Sequence, residues 1–290
     1  MFDPPKDSLK EEAFAKINLG LWVLGKRKDG YHEMVTFMHE IDLKDDLWMW
    51  RSETLSFLVE GMEIEHDNTV TRTVRKLQEI TSFSKGAKIL LTKRIPPRSG
   101  LGGGSSDAAA AIRGFLKIWN LSLDRERIFD VASQIGSDVP FFLEGGFCLS
   151  RGRGERIEKI DFSLREDFLV LLVFPGIGLL TSEVYSWMGS SYSNLPNVDK
   201  VVEAFRTDDW EFLRGYLKND LEKPVFERYP NLRYVKEVLL SEGALISLMS
   251  GSGSTIFAIF DGSFSQIEQL KRKIGKGFSF ILTRFKRRNG

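Results

Sequence analysis

The chain has 290 residues, of which 42% are hydrophobic and 28% charged, a composition typical of a globular protein. Its 41 basic and 40 acidic residues leave a net charge of +1, so the overall charge favours neither nucleic acid nor an anionic membrane as a partner. Residues 168–174 form the longest apolar run, far short of the ~20 residues that a membrane helix needs. With no apolar signal core at the start and a single cysteine, we expect a cytoplasmic protein of two domains without an internal disulfide.

The first predicted elements are strands. Residues 14–24 alternate between apolar and polar side chains, the period of a strand with one buried face. On this strand Lys16 and Asn18 lie on the same face. A second strand is expected over residues 34–43, and two shorter ones within residues 47–59.

A helix and a strand come next. Asn68 can cap a helix whose apolar residues are Val70, Val74 and Leu77. Residues 87–91 predict a strand that leads directly into a loop rich in proline and glycine. After the loop, apolar residues from Ala108 onward recur at helical spacing.

The loop between this strand and this helix has four glycines in five residues. Its members are Pro96, Pro97, Arg98, Ser99, Gly100, Leu101, Gly102, Gly103, Gly104, Ser105 and Ser106. Glycines permit positive φ and let backbone N–H groups approach an anion, and the N-terminus of a helix adds further N–H groups. We expect the helix to begin near Ser105, with Ser105 or Ser106 as its cap. The loop matches neither Walker A nor a GxGxxG fingerprint; the alternative is a glycine-rich hinge before a surface helix.

The remainder of the chain mixes strands and helices. A helix is predicted over residues 128–135 and a strand over residues 146–150. The pattern breaks at residues 161–167, where we place a domain boundary. Beyond it we expect a strand at residues 168–174, several helices, and two strands at residues 244–249 and 255–260. A helix and a last strand should follow. The lack of regular βαβ alternation predicts an α+β fold in both halves.

Three segments resemble the motifs of the GHMP kinases. Residues 101–111, LGGGSSDAAAA, closely resemble the second motif, and residues 15–19 and 250–254 match the other two. The resemblance implies the GHMP kinase fold, with an N-terminal ribosomal-protein-S5-like α/β domain over residues 13–163 and a ferredoxin-like C-terminal domain over residues 164–288. It also implies that ATP, with Mg²⁺, binds on the glycine-rich loop.

The resemblance assigns two catalytic residues. From the residues alone, Asp138 is a turn or cap aspartate and Lys16 a lysine on a solvated sheet face. The resemblance places Asp138 on the family's catalytic aspartate and makes Lys16 its partner. Lys16 would keep Asp138 ionised, since a nearby lysine lowers the pKa of a carboxyl group, and would offset charge on the moving phosphoryl group.

Further residues are assigned to ligands by the same resemblance. Residues 30–32 and 136–142 are similar to a GHMP kinase whose substrate is a small alcohol carrying a cytidine diphosphate group. There Tyr31 and His32 hold the cytosine, although alone they are ordinary loop residues, and Tyr185 is a second aromatic against the base. The remaining assignments place Asn18 at the substrate, Asn68 near the ATP base, and Gly251 and Gly253 in a loop at the active site. For these two glycines a tight turn between strands is the alternative.

Some features leave alternatives open. Arg98 and Ser99 stand where the family carries small residues, so Arg98 contacts a phosphate or points into solvent. No acidic ligand pair for Mg²⁺ stands out, and Ser106 is the candidate ligand. Beside the cytidine-linked substrate, the alternatives are another alcohol such as homoserine or mevalonate, or a catalytically dead nucleotide-binding homologue. No nucleic acid, membrane or obligate protein partner is expected.

Overall fold

The structure is a computed structural model that describes residues 4–61 and 68–287. Its strands are β1 (Leu9–Lys26), β2 (His32–Ser52), β3 (Ser56–Glu60), β4 (Gly86–Thr92), β5 (Phe147–Gly152), β6 (Arg156–Lys159), β7 (Leu169–Phe174), β8 (Ile246–Met249), β9 (Ile256–Phe260) and β10 (Ser279–Thr283). Its helices are α1 (Thr69–Thr81), α2 (Gly103–Ile118), α3 (Arg125–Ile135), α4 (Val139–Glu144), α5 (Thr181–Ser186), α6 (Val198–Arg206), α7 (Trp210–Tyr216), α8 (Glu222–Arg228), α9 (Pro230–Ser241) and α10 (Ile267–Ile274).

The chain forms two compact units that alternate along the sequence. The first contains the described residues of Met1–Ala15, Leu43–Pro97 and Gly102–Glu144. The second contains those of Lys16–Asp42, Arg98–Leu101 and Gly145–Gly290. The predicted domains, residues 13–163 and 164–288, divide the chain at one point, whereas these compact units alternate along it. The predicted domain bounds therefore stay a prediction.

The first unit contains the end of β2, with β3 and β4. Here β2 pairs with β4 in antiparallel register, from Asp46 opposite Thr92 to Ser52 opposite Gly86. Strand β3 pairs with β4 in parallel, and α1 lies between them in the chain, as a parallel connection requires. The predicted cap of α1 is confirmed, because Asn68 Oδ1 accepts hydrogen bonds from the N–H groups of Val70 at 2.9 Å and Thr71 at 3.2 Å.

Helix α2 begins earlier than the sequence predicts. Its N-cap is Gly102, with φ of 72°, and Gly103 is its first residue. The expectation that Ser105 or Ser106 caps the helix is therefore wrong; both lie in its first turn. The left-handed conformation, which glycine adopts without a steric penalty, lets the chain enter the helix two residues sooner.

The second unit contains a four-stranded antiparallel sheet in the order β10-β7-β9-β8. Its core combines buried residues of the sheet, such as Leu171 and Ala258, with Val225 of α8 and Val235 of α9. The start of β2 pairs with β5, from Met34 opposite Gly152 to His39 opposite Phe147, and β5 pairs with β6. Both units mix helices and strands, as the α+β prediction requires.

Other comparisons with the prediction are local. Strand β2 continues unbroken from His32 to Ser52, where two separate strands were expected. Strand β6 and helix α4 were not predicted. Cys148 is buried, as expected for a small apolar residue. Among the residues described, no helix has both the length and the apolar character needed to cross a membrane.

Candidate active site

Lys16 lies in β1 with only 3% of its surface exposed. Its Nζ donates to the carbonyl oxygen of Gly100 at 2.9 Å and to Oδ1 of Asn18. Asn18 Nδ2 in turn donates to Thr36 Oγ1 at 2.8 Å. The shared face of Lys16 and Asn18 is confirmed, whereas a solvated sheet face is wrong. A buried ammonium is costly unless it is hydrogen-bonded, and these oxygens hold it beside Gly100 of the glycine-rich loop.

The carbonyl of Gly100 also binds a second segment of the same unit. Ser250 Oγ donates to this oxygen at 2.9 Å. Gly100 has φ of +79°, and a Cβ on it would lie 2.0 Å from the carbonyl oxygen of Ser250. Only glycine fits here, because the conformation is left-handed and the neighbouring backbone occupies the space of a side chain.

The predicted role of Gly251 and Gly253 as bare backbone agrees with their surroundings. Gly251 has φ of +54°, and a Cβ there would lie 3.2 Å from both Lys16 Nζ and Asn18 Oδ1. Gly253 has φ of +86°, and its Cβ would lie 2.6 Å from the sulfur of Met249. The loop therefore lies directly against Lys16, and the assignment of both glycines to substrate contacts stays a prediction.

In the first unit, the N-terminus of α2 is suited to an anion. Within the described part of the chain, no side chain caps α2, although Asn68 caps α1 and Asp124 caps α3. The N–H groups of the first turn of a helix have no intrahelical acceptor, and the helix dipole is positive at this end. Thr69 Oγ1 donates to the carbonyl of Gly104 at 2.7 Å, which joins the start of α1 to this turn. The residues present therefore fit the phosphates of a nucleotide, and Asn68 directly precedes the Thr69 that bonds this turn.

A buried ionic cluster behind the start of α2 was missed by the sequence analysis. Lys93 Nζ lies 2.8 Å from Asp107 Oδ2 and also bonds Asp45, and all three residues are buried. A Cβ on Gly103 would lie 2.9 Å from Lys93 Nζ, so the cluster packs against the first residue of α2. The sequence did contain a signal for this cluster, because Asp107 is an acidic residue among the alanines of the buried face of α2.

Burial and charge work against each other in this cluster. Burial raises the pKa of Asp107 to about 7, although the charge of Lys93 opposes the rise. For Lys93, burial alone would lower the pKa, but the charges of Asp107 and Asp45 outweigh it and raise the pKa. The raised pKa keeps Lys93 protonated at neutral pH, where it bonds the carboxyl groups of Asp45 and Asp107 behind the start of α2.

Asp138 lies in a tight turn, as predicted. The turn is closed by a hydrogen bond of 3.1 Å from the N–H of Val139 to the carbonyl of Gly136, and α4 follows at once. A Cβ on Gly136 would lie 3.7 Å from Ser105 Oγ, so this turn lies beside the first turn of α2. Asp138 is half-buried. Its pairing with Lys16 stays a prediction.

The segment before the glycines is anchored by its backbone in the second unit. Arg98 is exposed with φ of 54°, and its carbonyl accepts a hydrogen bond of 3.1 Å from Leu179 N–H. The carbonyl of buried Ser99 accepts one of 3.2 Å from Thr255 N–H. The predicted ATP contacts of Arg98 and Ser99, and of Pro96 and Pro97 before them, stay predictions.

Two of the three residues predicted to hold cytosine, His32 and Tyr185, belong to an aromatic cluster. The rings of His32 and Tyr185 stack with centroids 4.9 Å apart and 24° between their planes. Burial, followed by the charge of Lys26, lowers the pKa of His32, which favours the neutral imidazole. A neutral imidazole offers one donor and one acceptor, the combination suited to the edge of a pyrimidine.

The sequence analysis missed two residues that contact the predicted cytosine-binding residues. Tyr192 lies with its ring centroid 6.2 Å from that of His32, and the guanidinium of Arg153 lies 4.9 Å from the ring centroid of Tyr31. Tyr31 itself is 51% exposed. Tyr192 follows two serines in a stretch without periodicity, so the sequence offered no signal for it beyond a loop.

The chain matches two family models, one described as GHMP kinases N terminal domain over residues 68–146 and the other as GHMP kinases C terminal over residues 201–279. These matches cover more than half of the chain and define a kinase of the GHMP class. Relatives named 4-diphosphocytidyl-2-C-methyl-D-erythritol kinase are 37% identical in Thermoanaerobacter pseudethanolicus, covering 94% of this chain and 94% of the relative, and 37% identical in Chlorobium phaeobacteroides, covering 96% and 95%. The chain belongs to this kinase family.

Solved structures agree with this assignment. A crystal structure of 4-(cytidine 5'-diphospho)-2C-methyl-D-erythritol kinase matches with a TM-score of 0.76 at 31% identity, covering 95% of this chain and 99% of that one. A homoserine kinase from Cytophaga hutchinsonii matches with a TM-score of 0.75 at 19% identity, covering 98% and 97%. The second likeness shows the shared fold alone.

Proposed function

We propose that the protein phosphorylates the 2-hydroxyl of 4-diphosphocytidyl-2-C-methyl-D-erythritol with ATP, a step of the non-mevalonate isoprenoid precursor pathway in the cytoplasm. The observation that carries the proposal is membership of this kinase family over nearly the whole chain. The buried Lys16, which bonds Gly100 of the glycine-rich loop, supports an active enzyme over a dead homologue. The His32–Tyr185 pair supports a substrate with a base over homoserine or mevalonate.

The phosphates of ATP are assigned to the N-terminus of α2. The first-turn N–H groups of Gly103, Gly104 and Ser105 bind the phosphate oxygens, and the positive end of the helix dipole stabilises their charge. The exposed position of Gly104 leaves the backbone accessible there. Asn68, whose side chain fixes the first turn of α1, is proposed near the base of ATP.

Lys16 and Asp138 are proposed as the catalytic residues. Asp138 aligns the 2-hydroxyl and accepts its proton as the oxygen attacks the γ-phosphorus, and the bond from phosphorus to the leaving ADP oxygen breaks. The Lys16 ammonium offsets the charge on the transferred group and keeps Asp138 ionised. Asn18 fixes the direction of Lys16 through its Oδ1, and a contact of Asn18 with the substrate is part of the proposal.

The cytidine is proposed to bind at the aromatic cluster. His32 pairs with the edge of the cytosine, while Tyr31 and Tyr185 offer ring faces for stacking. The rings of His32 and Tyr185 are 4.9 Å apart, and a base inserted between two rings needs ~7 Å, twice the optimal contact distance. The base therefore stacks on an outer ring face, or Tyr185 moves.

Mg²⁺ is proposed as the metal that accompanies ATP, where it would neutralise phosphate charge. Among the residues described, no group of three or more His, Cys, Asp or Glu side chains is placed to hold a metal. The ion is therefore held largely by phosphates and water, with the Ser106 hydroxyl in the first turn of α2 as the candidate protein ligand.

The test is release of ADP from ATP with 4-diphosphocytidyl-2-C-methyl-D-erythritol and Mg²⁺, for the wild type and for Asp138→Asn. We expect turnover by the wild type and a loss of at least ~10²-fold in the variant, the usual range for removal of a general base. Competition by CMP distinguishes the cytidine-linked substrate from other alcohols. A folded wild type that turns over homoserine or mevalonate but not the named substrate would contradict the proposal.

A further inference from the structure

Asn219 lies in the second unit between α7 and α8 and is 3% exposed. Its Nδ2 donates to the carbonyl oxygens of Met249 and Gly251, both at 2.7 Å. Its Oδ1 accepts a hydrogen bond of 2.9 Å from Leu221 N–H. Both amide hydrogens and the amide oxygen are thus used, so the orientation of this side chain is fully determined.

The two carbonyl groups that Asn219 binds lie on either side of the point where the chain leaves β8 and enters the next loop. Met249 is the last residue of β8, and Gly251 lies two residues further on, in the loop of residues 250–254. Glu222 Oε1 also accepts a hydrogen bond of 2.8 Å from Met249 N–H, so both polar backbone groups of Met249 are held by side chains. The backbone of this loop, hereafter the glycine loop, is therefore fixed where it leaves the sheet.

The glycine loop is the segment that lies against Lys16. A Cβ on Gly251 would lie 3.2 Å from Lys16 Nζ and 3.2 Å from Gly100 O. Ser250 Oγ binds the same carbonyl oxygen as Lys16 Nζ, each at 2.9 Å. A shift of the glycine loop would therefore change the space around the Lys16 ammonium. It would also move Ser250 Oγ, which shares the Gly100 carbonyl oxygen with Lys16 Nζ.

We propose that Asn219 is a positioning residue, which holds the glycine loop against Lys16 and so fixes the ammonium for phosphoryl transfer. The effect on rate rests on the proposed kinase activity, but the hydrogen bonds by which Asn219 holds the glycine loop are a property of the folded protein. An amide is required, because a carboxylate of the same shape has no hydrogen to donate and would place an oxygen against two carbonyl oxygens.

The test compares Asn219→Asp and Asn219→Ala with Val235→Ala. Val235 is a buried core residue of α9 and makes none of the hydrogen bonds described for the loop, so its variant controls for general loss of stability. For the two Asn219 variants we expect kcat to fall between about tenfold and about hundredfold, since small misplacements of catalytic groups have effects of this size. KM for ATP should change by less than about threefold, because the loss lies in the transition state. Val235→Ala should keep its kcat below its unfolding temperature.

Hydrogen exchange provides the second readout. The N–H groups of Gly253 and Ser250 bond to Ser250 O and Thr255 O, both at 2.9 Å, and should exchange slowly in the wild type. They should exchange faster in both Asn219 variants and remain slow in Val235→Ala. Full kcat in a folded Asn219→Ala, or unchanged exchange in the loop, would overturn the inference. An inactive wild type with a protected loop, together with faster exchange in both Asn219 variants, would count against the proposed function and still support the role of Asn219 in holding the loop.

Discussion

Lys16 Nζ lies 2.9 Å from the carbonyl oxygen of Gly100 and donates a hydrogen bond to it. The bond joins residues 84 positions apart and brings the first strand to the loop before α2. Ser250 Oγ binds the same oxygen at 2.9 Å. One carbonyl, directly before the segment of residues 101–111, therefore binds side chains from the two other segments that resemble GHMP kinase motifs.

Replacement of Lys16 by methionine should abolish most of the activity. Methionine is a side chain of similar length without the ammonium, so we expect kcat to fall by at least ~10²-fold, as for loss of a transition-state donor. Lys16→Arg should not restore activity, because the buried site between Asn18 and Gly100 is shaped for a compact ammonium. ADP release and thermal unfolding measure the two effects separately. A folded Lys16→Met that retains a third of wild-type kcat would contradict the assignment.

Gly100→Ala should destabilise the protein and lose ATP binding. A Cβ at this position meets Ser250 O at 2.0 Å, and the φ of +79° adds a backbone cost of about 1–3 kcal/mol. Gly25→Ala is the matched control, since nothing lies within 4 Å of the added methyl group. Thermal unfolding and nucleotide titration of both variants give the comparison. Equal unfolding temperatures for the two would show that the loop adapts.

Local patterns were sufficient to predict several elements. The N-cap Asn68, the strand carrying Lys16 and Asn18, and the turn around Asp138 depend on neighbours within a few residues, and the structure contains all three. The start of α2 was misplaced because the positive φ of Gly102, and not a serine cap, sets it.

Contacts between distant segments were beyond the sequence. Lys93 with Asp107, and Asn219 with Gly251, are separated by 14 and 32 residues, and no periodicity links them. Nor did the alternation of β1 show whether its polar face meets solvent, because a buried lysine and an exposed one give the same pattern. Lys16 is buried because Gly100 and Gly251, which are distant in sequence, pack against it in the folded protein.

Tyr185→Ala should weaken binding of the cytidine group. Loss of one stacking ring costs about 1–3 kcal/mol, which corresponds to a rise in the Kd of CMP of about fivefold to more than a hundredfold. Tyr185→Phe keeps the ring and loses the contact of the hydroxyl with the Met34 sulfur at 3.4 Å, so its Kd should stay near that of the wild type. Calorimetric titration with CMP measures both. Unchanged affinity in Tyr185→Ala would place the base elsewhere.

Lys93→Met should strongly destabilise the first unit. The change leaves the buried carboxyl groups of Asp45 and Asp107 without their cation, and breaking a buried pair typically costs about 3–5 kcal/mol. Lys76→Met is the control, because Lys76 pairs with a largely exposed Glu79 and such surface pairs contribute about 0–1 kcal/mol. Chemical denaturation of both variants gives the free energies of unfolding. Similar losses would mean that the cluster adds no stability.

Acid should destabilise the protein through His39. Burial lowers the pKa of this imidazole from 6.5 to about 4, and its Nδ1 lies 2.7 Å from the carbonyl oxygen of Glu40. Above pH 6.5 the ring is neutral in both the folded and the unfolded chain, so it contributes no dependence on pH. As pH falls from 6.5 towards 4, the unfolded chain takes up a proton that the folded one does not, and stability is lost.

The expected loss from this histidine, relative to a variant that does not titrate, is about 3 kcal/mol over that range, since one pKa unit corresponds to 1.36 kcal/mol. His39→Asn is the suitable comparison, because its amide keeps a donor near the position of Nδ1. The free energy of unfolding of wild type and variant should be measured from pH 7.5 down to about pH 4 by denaturant titration. The wild type should lose stability relative to His39→Asn as the solution becomes more acidic; a constant difference across the range would show that His39 is protonated equally in both states.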